Sequence, residues 1–256
     1  MIGKWRWAAA RSIGTSHLKN GTPCQDYVCA KEFLTRHGSV MAAVVSDGAG
    51  SASHAEFGSR TVCVGLLKAC RTFLLHAPLS DLSDELVWDW IDTIRETINV
   101  KAGFANVRPR DFAATLVAVL VGEESSVVIH VGDGAAVFRR SGSEEWEVPS
   151  WPYQGEYAST TSFVTDDPQP RLMVIPVEGV IEEFAVFSDG IERLVLDHVG
   201  HTAHHPFFNR MMAPLKASDA PSVDRALSHA LRGYLESPSV CERTDDDKSL
   251  VLGLRV

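Results

Sequence analysis

The sequence predicts an α+β fold with mainly antiparallel sheets, and three observations carry that expectation. Strand-like apolar runs come in groups, such as 112–122, 126–131 and 135–140, instead of alternating singly with helices. Stretches of helical period come in pairs, one pair within 51–98 and another within 204–236. Two apolar runs far apart in the chain stop at the same tripeptide, Ser-Asp-Gly, at Asp47 and Asp189.

Lys4 to Ser12 and Asp26 to Leu34 read as strands, joined by a turn-rich segment, HLKNGTPCQ, that holds Gly21 and Pro23. The start, MIGKWRWAAARSIG, is basic without a long apolar core, so it reads as an edge strand and not as a signal peptide. Trp5 and Trp7 alternate on it and are expected to pack on the sheet. Ser39 to Ser46 is almost continuously apolar, as in a strand covered on both faces. AGSASHAEFGSR opens a helix: Ser51 or Ser53 caps it, Glu56 suits its first turn, and Phe57, Val64, Leu67 and Leu74 keep helical spacing.

Ser83 begins a second helix, with Asp84 and Glu85 at its positive end and Leu86, Trp90, Ile94 and Ile98 as its buried stripe. Phe112 to Gly122, Ser126 to Val131 and Ala135 to Arg140 have turn signals between them and read as an antiparallel meander. Pro149 to Pro170 mixes Pro, Gly, Ser and Thr with aromatics and reads as an irregular surface excursion. Leu172 to Val177 and Glu183 to Phe187 resume the strand pattern. Two helices follow, His204 to Ala217 and Ser222 to Glu236, before a last strand, Ser249 to Val256.

No linker or charge block divides the 256 residues, so one domain spanning 1–256 is expected. Apolar stretches such as FAATLVAVLVG fall short of the roughly 20 residues a membrane helix needs, which makes a cytoplasmic location the default. The net charge of -9 argues against nucleic acid as a partner. Five cysteines without a C-x-x-C pair suggest reduced, structural thiols and no zinc.

Three acidic places sit beside strand-like runs: VMAAVVSDGAGS with Asp47, FAVFSDGIERL with Asp189, and TDDDKSLVLGL with Asp245, Asp246 and Asp247. Carboxylates at strand ends are rigidly held, and several in one cleft repel unless a cation sits among them. Carboxylate oxygen suits hard divalent ions, which points to Mg2+ or Mn2+. Taken alone, an Asp-Gly at a strand end is ordinarily a turn, and Asp133 in VGDGAAV reads as a hairpin turn. His201, His204 and His205 lack the flanking motif of a zinc enzyme and read as a surface helix start. No G-x-S-x-G elbow is present for serine hydrolysis.

Six pieces in order, PCQDYV, VVSDGAGSASHAEFGS, DFAATLVAVLV, VIHVGDGAAVF, FAVFSDGIERL and DDDKSLVL, resemble the PPM family of metal-dependent protein phosphatases (the PP2C type) in its compact bacterial form. The resemblance implies a PP2C-like four-layer αββα sandwich, two antiparallel β-sheets flanked by helices, with a binuclear Mn2+ or Mg2+ centre at one end. It implies that Asp47 bridges the two metals and that the Gly48 carbonyl is a ligand of one. Asp26 would face the same centre, Asp189 would bind the other metal, and Asp111 would support a third, weaker one. Asp246 matches the acid of the family's Asp-Asn-x-Thr motif with Ser249 at the Thr position, although Asp245 and Asp247 lie one residue away on either side. The implied activity is hydrolysis of protein phosphoserine and phosphothreonine by direct attack of a metal-bridging hydroxide, reversing the output of a Ser/Thr kinase in signalling.

Departures from the family pattern are informative. Gln25 stands where animal-type members have Glu, and their phosphate-binding Arg falls near Gly21. Their His after the first Asp-Gly is Ala49 here. Arg11, His17 and Lys19 are the nearby replacements, and His17 is the preferred one, as phosphate binder or as acid to the leaving group. These vacancies leave a rival reading, a non-catalytic phosphoprotein-binding module on a degenerate phosphatase fold. The excursion corresponds to the family's variable flap, where Trp151, Tyr153 and Tyr157 would either grip a protein substrate or pin the loop.

Overall fold

The computed structural model describes residues 4–152 and 161–256. Its first half runs β1 (Trp5–Ser12), α1 (Thr15–Asn20), β2 (Tyr27–Thr35), β3 (Gly38–Ser46), α2 (Ala55–Leu74), α3 (Asp84–Ala105), β4 (Leu116–Val121), β5 (Ser125–Val131) and β6 (Ala135–Arg140). It continues through β7 (Glu147–Ser150), β8 (Met173–Glu178), β9 (Ile181–Phe187), α4 (Asp189–Val195), β10 (Leu196–Asp197), β11 (Thr202–Ala203), α5 (His205–Ala217), α6 (Arg225–Leu235), α7 (Pro238–Cys241) and β12 (Lys248–Arg255).

Two five-stranded antiparallel sheets result, ordered β1-β12-β9-β6-β7 and β2-β3-β4-β5-β8. Strand alternation then builds four layers. Met41, Ala43 and Val45 point between the sheets and meet Trp5, Val117, Phe184 and Val251. Val40, Ala42 and Val44 point the other way, onto α2 and α3, with Leu66, Ile91 and Ile94. Leu250 and Leu252 likewise face Ile191, Phe208, Met212 and Leu231 on the second helical layer. Burial on both faces explains why these strands read as continuous apolar runs. Trp5 is fully buried with its ring 5.4 Å from that of Phe184, so both sheets close over the first strand.

The structure corrects several local expectations. The runs at 116–121, 125–131 and 135–140 are not a meander: β4 pairs with β5, but β6 crosses to the other sheet and sets Ala135 opposite Phe187. Gly132-Asp133-Gly134 makes that crossover, with φ of +99° and +81° at its glycines. A Cβ there would also sit 2.6 Å from Ser162 O or Phe187 O, so glycine is required twice over.

Helix α2 begins at Ala55 with His54 at its N-cap, and neither Ser51 nor Ser53 caps it. Its buried face is Gly58, Val62, Cys63, Leu66, Cys70 and Leu74, whereas Phe57 and Val64 are half-exposed on the outside. Small residues such as Gly58, whose Cβ would lie 2.1 Å from Phe112 O, form the packing face but carry no apolar signal. Ser83 does cap α3, accepting from Leu86 N at 3.4 Å. The first four residues of the turn-rich segment, 17–20, instead belong to helix α1, closed by Gly21 in the left-handed region. Among the described residues no helix is long and apolar enough to cross a membrane.

Candidate metal centre

One end of the sandwich gathers acids from both sheets. Asp47 follows β3 and is fixed by its backbone: its N–H donates to Thr115 Oγ1 at 3.0 Å and its carbonyl accepts from Thr115 N at 2.8 Å. Ser46 Oγ donates to Thr115 O at 2.5 Å, so the first Ser-Asp-Gly is sewn to the start of β4. In the second, Ser188 Oγ donates to Asp26 Oδ2 at 2.7 Å and accepts from Ser249 N at 3.0 Å. Asp189 opens α4 one residue later. The carboxylates of Asp47, Asp133 and Asp189 converge, with one oxygen of each within 4.8 Å of the others. Asp133, a hairpin turn by its sequence, sits instead on a sheet crossover, and its carboxylate joins those of Asp47 and Asp189.

Burial and mutual repulsion raise every acid of this group. Asp26, fully buried, is pushed up to about 6 by burial, with the nearby Asp47 carboxyl and the Ser188 hydroxyl pulling the other way. Asp47 lies well above the usual carboxylate range, from burial first and then from Asp26 and Asp189. Asp189 is pushed up to about 8 by burial, then by Asp133, Asp246 and Asp26. Asp133 is also raised by burial, against the pull of a 2.7 Å bond from Thr161 Oγ1. Oδ1 of Asp133 and of Asp189 are buried with no hydrogen-bond partner among the described residues. His130, close in sequence, is pushed down to about 4 by burial and stays neutral, so it supplies no compensating charge. Orphaned anionic oxygens facing one another are the donor set a divalent cation takes.

A pH dependence follows. Folded-state values raised above the ordinary range mean that the folded chain holds protons the unfolded chain has lost, so stability falls as pH rises. In EDTA, Tm is expected to drop by roughly 5 °C between pH 5.5 and 8. Asp189→Asn should flatten that slope, and Mn2+ should remove most of it by displacing the protons. A Tm in EDTA that stays level or rises across this range contradicts the electrostatic picture.

The three acids before β12 separate by environment. Asp247 is buried and accepts from Gly14 N at 2.6 Å and Gln25 N at 2.5 Å. Its Oδ2 also lies 3.0 Å from His17 Nδ1, without the alignment of a hydrogen bond. Asp247 is therefore a clasp between the N-terminal segment and the last strand. Asp245 is exposed, and its carbonyl accepts from Ser16. Asp246 is the one whose charge raises Asp133 and Asp189.

Other candidates lie elsewhere. Asp111 accepts from Arg108 N at 2.9 Å and sits in a neighbouring groove of about 340 Å³ with Ser51, Arg110 and Asp166, apart from the three converging acids. The Arg11 guanidinium is engaged by Asp26 O at 2.5 Å and lies over the Tyr27 ring, and Lys19 is exposed. Trp151 packs edge-on against His198 and His201, with ring centroids 5.9 and 4.9 Å away, which roots the excursion; Tyr153 and Tyr157 lie outside the described residues. All five cysteines are free, and burial pushes Cys24 and Cys70 up to about 12, so neither is a ready thiolate. Glu192, not singled out by sequence, is buried, accepts from Gly134 N at 3.0 Å and is pushed up to about 7 by burial. A Gly-Asp-Gly between two apolar runs was the one sequence signal that pointed to this corner.

Comparison with known proteins agrees with this geometry. A family model described as protein phosphatase 2C matches residues 13–236. Serine/threonine-protein phosphatase 3 of Escherichia coli (strain K12) is 33% identical over 253 residues, 98% of each chain. Serine/threonine phosphatase Stp1 from Staphylococcus aureus has a similar fold at TM-score 0.61 and 16% identity, over 100% of this chain and 96% of that one. The catalytic domain of the serine threonine protein phosphatase PstP, solved with two manganese ions, is similar at TM-score 0.62 and 18% identity over 99% of both chains.

Proposed function

The chain belongs to the protein phosphatase 2C family, and from that premise we propose that it hydrolyses phosphoserine and phosphothreonine in proteins with two divalent cations, Mn2+ or Mg2+. One observation carries the reading: Asp47, Asp133 and Asp189 meet within 4.8 Å, and Oδ1 of Asp133 and of Asp189 is buried with no hydrogen-bond partner among the described residues. Asp26, Asp47, Asp133, Asp189 and Asp246 would hold the cations, with the Gly48 carbonyl as a further ligand. When bound, such ions lower the pKa of a shared water and neutralise charge on the phosphoryl oxygens.

The chain's own groups do the rest. Thr115 and Ser188 hold the backbone of Asp47 and the carboxylate of Asp26, so the acids need no rearrangement. Asp247 faces Nδ1 of His17, which leaves Nε2 as the atom to protonate the departing serine or threonine oxygen. The phosphate-binding arginine of animal-type relatives has no counterpart, because Arg11 is engaged by Asp26 O and Tyr27. A third, weaker cation belongs at Asp111, in the groove it shares with Ser51. We read residues 1–256 as one such domain, acting in the cytoplasm on the products of a Ser/Thr kinase.

Purified protein with Mn2+ is expected to cleave p-nitrophenyl phosphate, to fall to background in EDTA and to recover when Mn2+ returns. Undiminished turnover in EDTA would defeat the metal mechanism. Tight phosphopeptide binding without phosphate release would favour a binding module instead.

A further inference from the structure

We propose that Glu192 is a positioning residue of the metal centre, holding the Asp133 crossover against helix α4 so that Asp133 and Asp189 keep one spacing. The inference rests on the phosphatase reading above. Glu192 lies three residues after Asp189, on the same face of α4. Its Oε2 accepts from Gly134 N at 3.0 Å. The residues on either side of Asp133 are glycines at positive φ, so they offer no side chains of their own to fix the turn. The Asp133 carboxylate accepts one side-chain hydrogen bond among the described residues, from Thr161 Oγ1 at 2.7 Å. Glu192 thus joins two acid-bearing pieces that come from different connections, the crossover between sheets and the first turn after β9.

Its other oxygen has a defined partner too. Glu192 Oε1 lies 2.9 Å from His198 Nε2, and the His198 ring meets Trp151 edge-on where the excursion leaves β7. Glutamine would make the same bond to Gly134 without adding another acid, and Glu192 is among the charges that raise Asp189. A carboxylate there weakens the empty site. It strengthens the site once a cation is present, because a charged outer partner orients the inner ligands and adds to the field that holds the ion.

The test is calorimetric titration of Mn2+ into metal-free wild type, Glu192→Gln, Glu192→Ala and a distant control, Glu183→Gln. Glu183, on β9, is also buried but pairs with Arg139 of β6 and Lys216 of α5, away from the cleft. Glu192→Ala is expected to weaken Mn2+ by about 10- to 100-fold. Glu192→Gln, which keeps the acceptor and loses the charge, should fall between, at least roughly threefold weaker than wild type. Glu183→Gln should bind Mn2+ like wild type. Loss of Tm in the Glu192 variants with wild-type Mn2+ affinity would make the residue merely structural and overturn the proposal. If Glu192→Ala does not fold, Glu192→Gln decides by the same criterion. Wild type that takes up no Mn2+ would remove the phosphatase reading and this inference together, whereas wild-type binding unaffected by either variant removes this inference alone.

Discussion

Asp47→Asn is expected to lower turnover of a phosphomonoester by on the order of 10³-fold or more, equivalent to about 4 kcal/mol of transition-state stabilisation. Asp189→Asn should do the same. The amide is nearly isosteric, and Asp47 is held through its backbone by Thr115, so the loop stays where it is. What disappears is an anionic oxygen from the set that meets at the sheet ends. The same substitution relieves repulsion in the empty site, because Asp47 and Asp189 each raise the other or share neighbours that do. Each variant should therefore melt higher than wild type in EDTA while binding Mn2+ more weakly. Opposite signs for stability and activity are hard to obtain from a folding defect. Near-normal turnover in either variant would defeat the site assignment.

Gly190→Ala is the second large effect. A Cβ at Gly190 would lie 1.8 Å from the carbonyl oxygen of Asp247, and no flexible side chain can yield to admit it. Either α4 must lift away, carrying Asp189 and Glu192, or the start of β12 must move with the Asp247 clasp on Gly14 and Gln25. A destabilisation of about 3 kcal/mol is expected, or roughly 6–12 °C in Tm. Mn2+ affinity should fall with it by at least about tenfold, since the ligand spacing is disturbed. Gly233→Ala in helix α6 is the matched control: nothing lies within 4 Å of its Cβ, so the change should raise stability by about 0.4–1 kcal/mol. Wild-type melting and Mn2+ binding in Gly190→Ala would show that the seat of α4 is softer than described.

Much of the frame was legible because strands covered on both faces leave long apolar runs, and Ser46-Asp47 and Ser188-Asp189 mark where two of them stop. Asp133 was not, for a definite reason. With both faces of β5 and β6 buried, hydropathy cannot say whether the second strand turns back on the first or leaves for the other sheet. A Gly-Asp-Gly serves either geometry. The face of α2 failed differently: Gly58, Ser59, Cys63 and Cys70 pack because they are small, and large Phe57 and Val64 point outward. Three consecutive acids before β12 could not be told apart by spacing. Hydrogen bonds separate them: Asp247 is taken by Gly14 and Gln25, whereas Asp246 Oδ1 accepts from Asp247 N at 2.8 Å and its charge reaches Asp133 and Asp189.

The pairing of β1 with β12 has a kinetic corollary. Ser12 lies opposite Lys248, and the clasp that steadies Gln25 and the neighbouring Asp26 belongs to Asp247, more than two hundred positions downstream. Such distant contacts form late and slowly. A nascent polypeptide that has not yet reached Asp247 carries Asp26, Asp47, Asp133 and Asp189 without the clasp on Gly14 and Gln25.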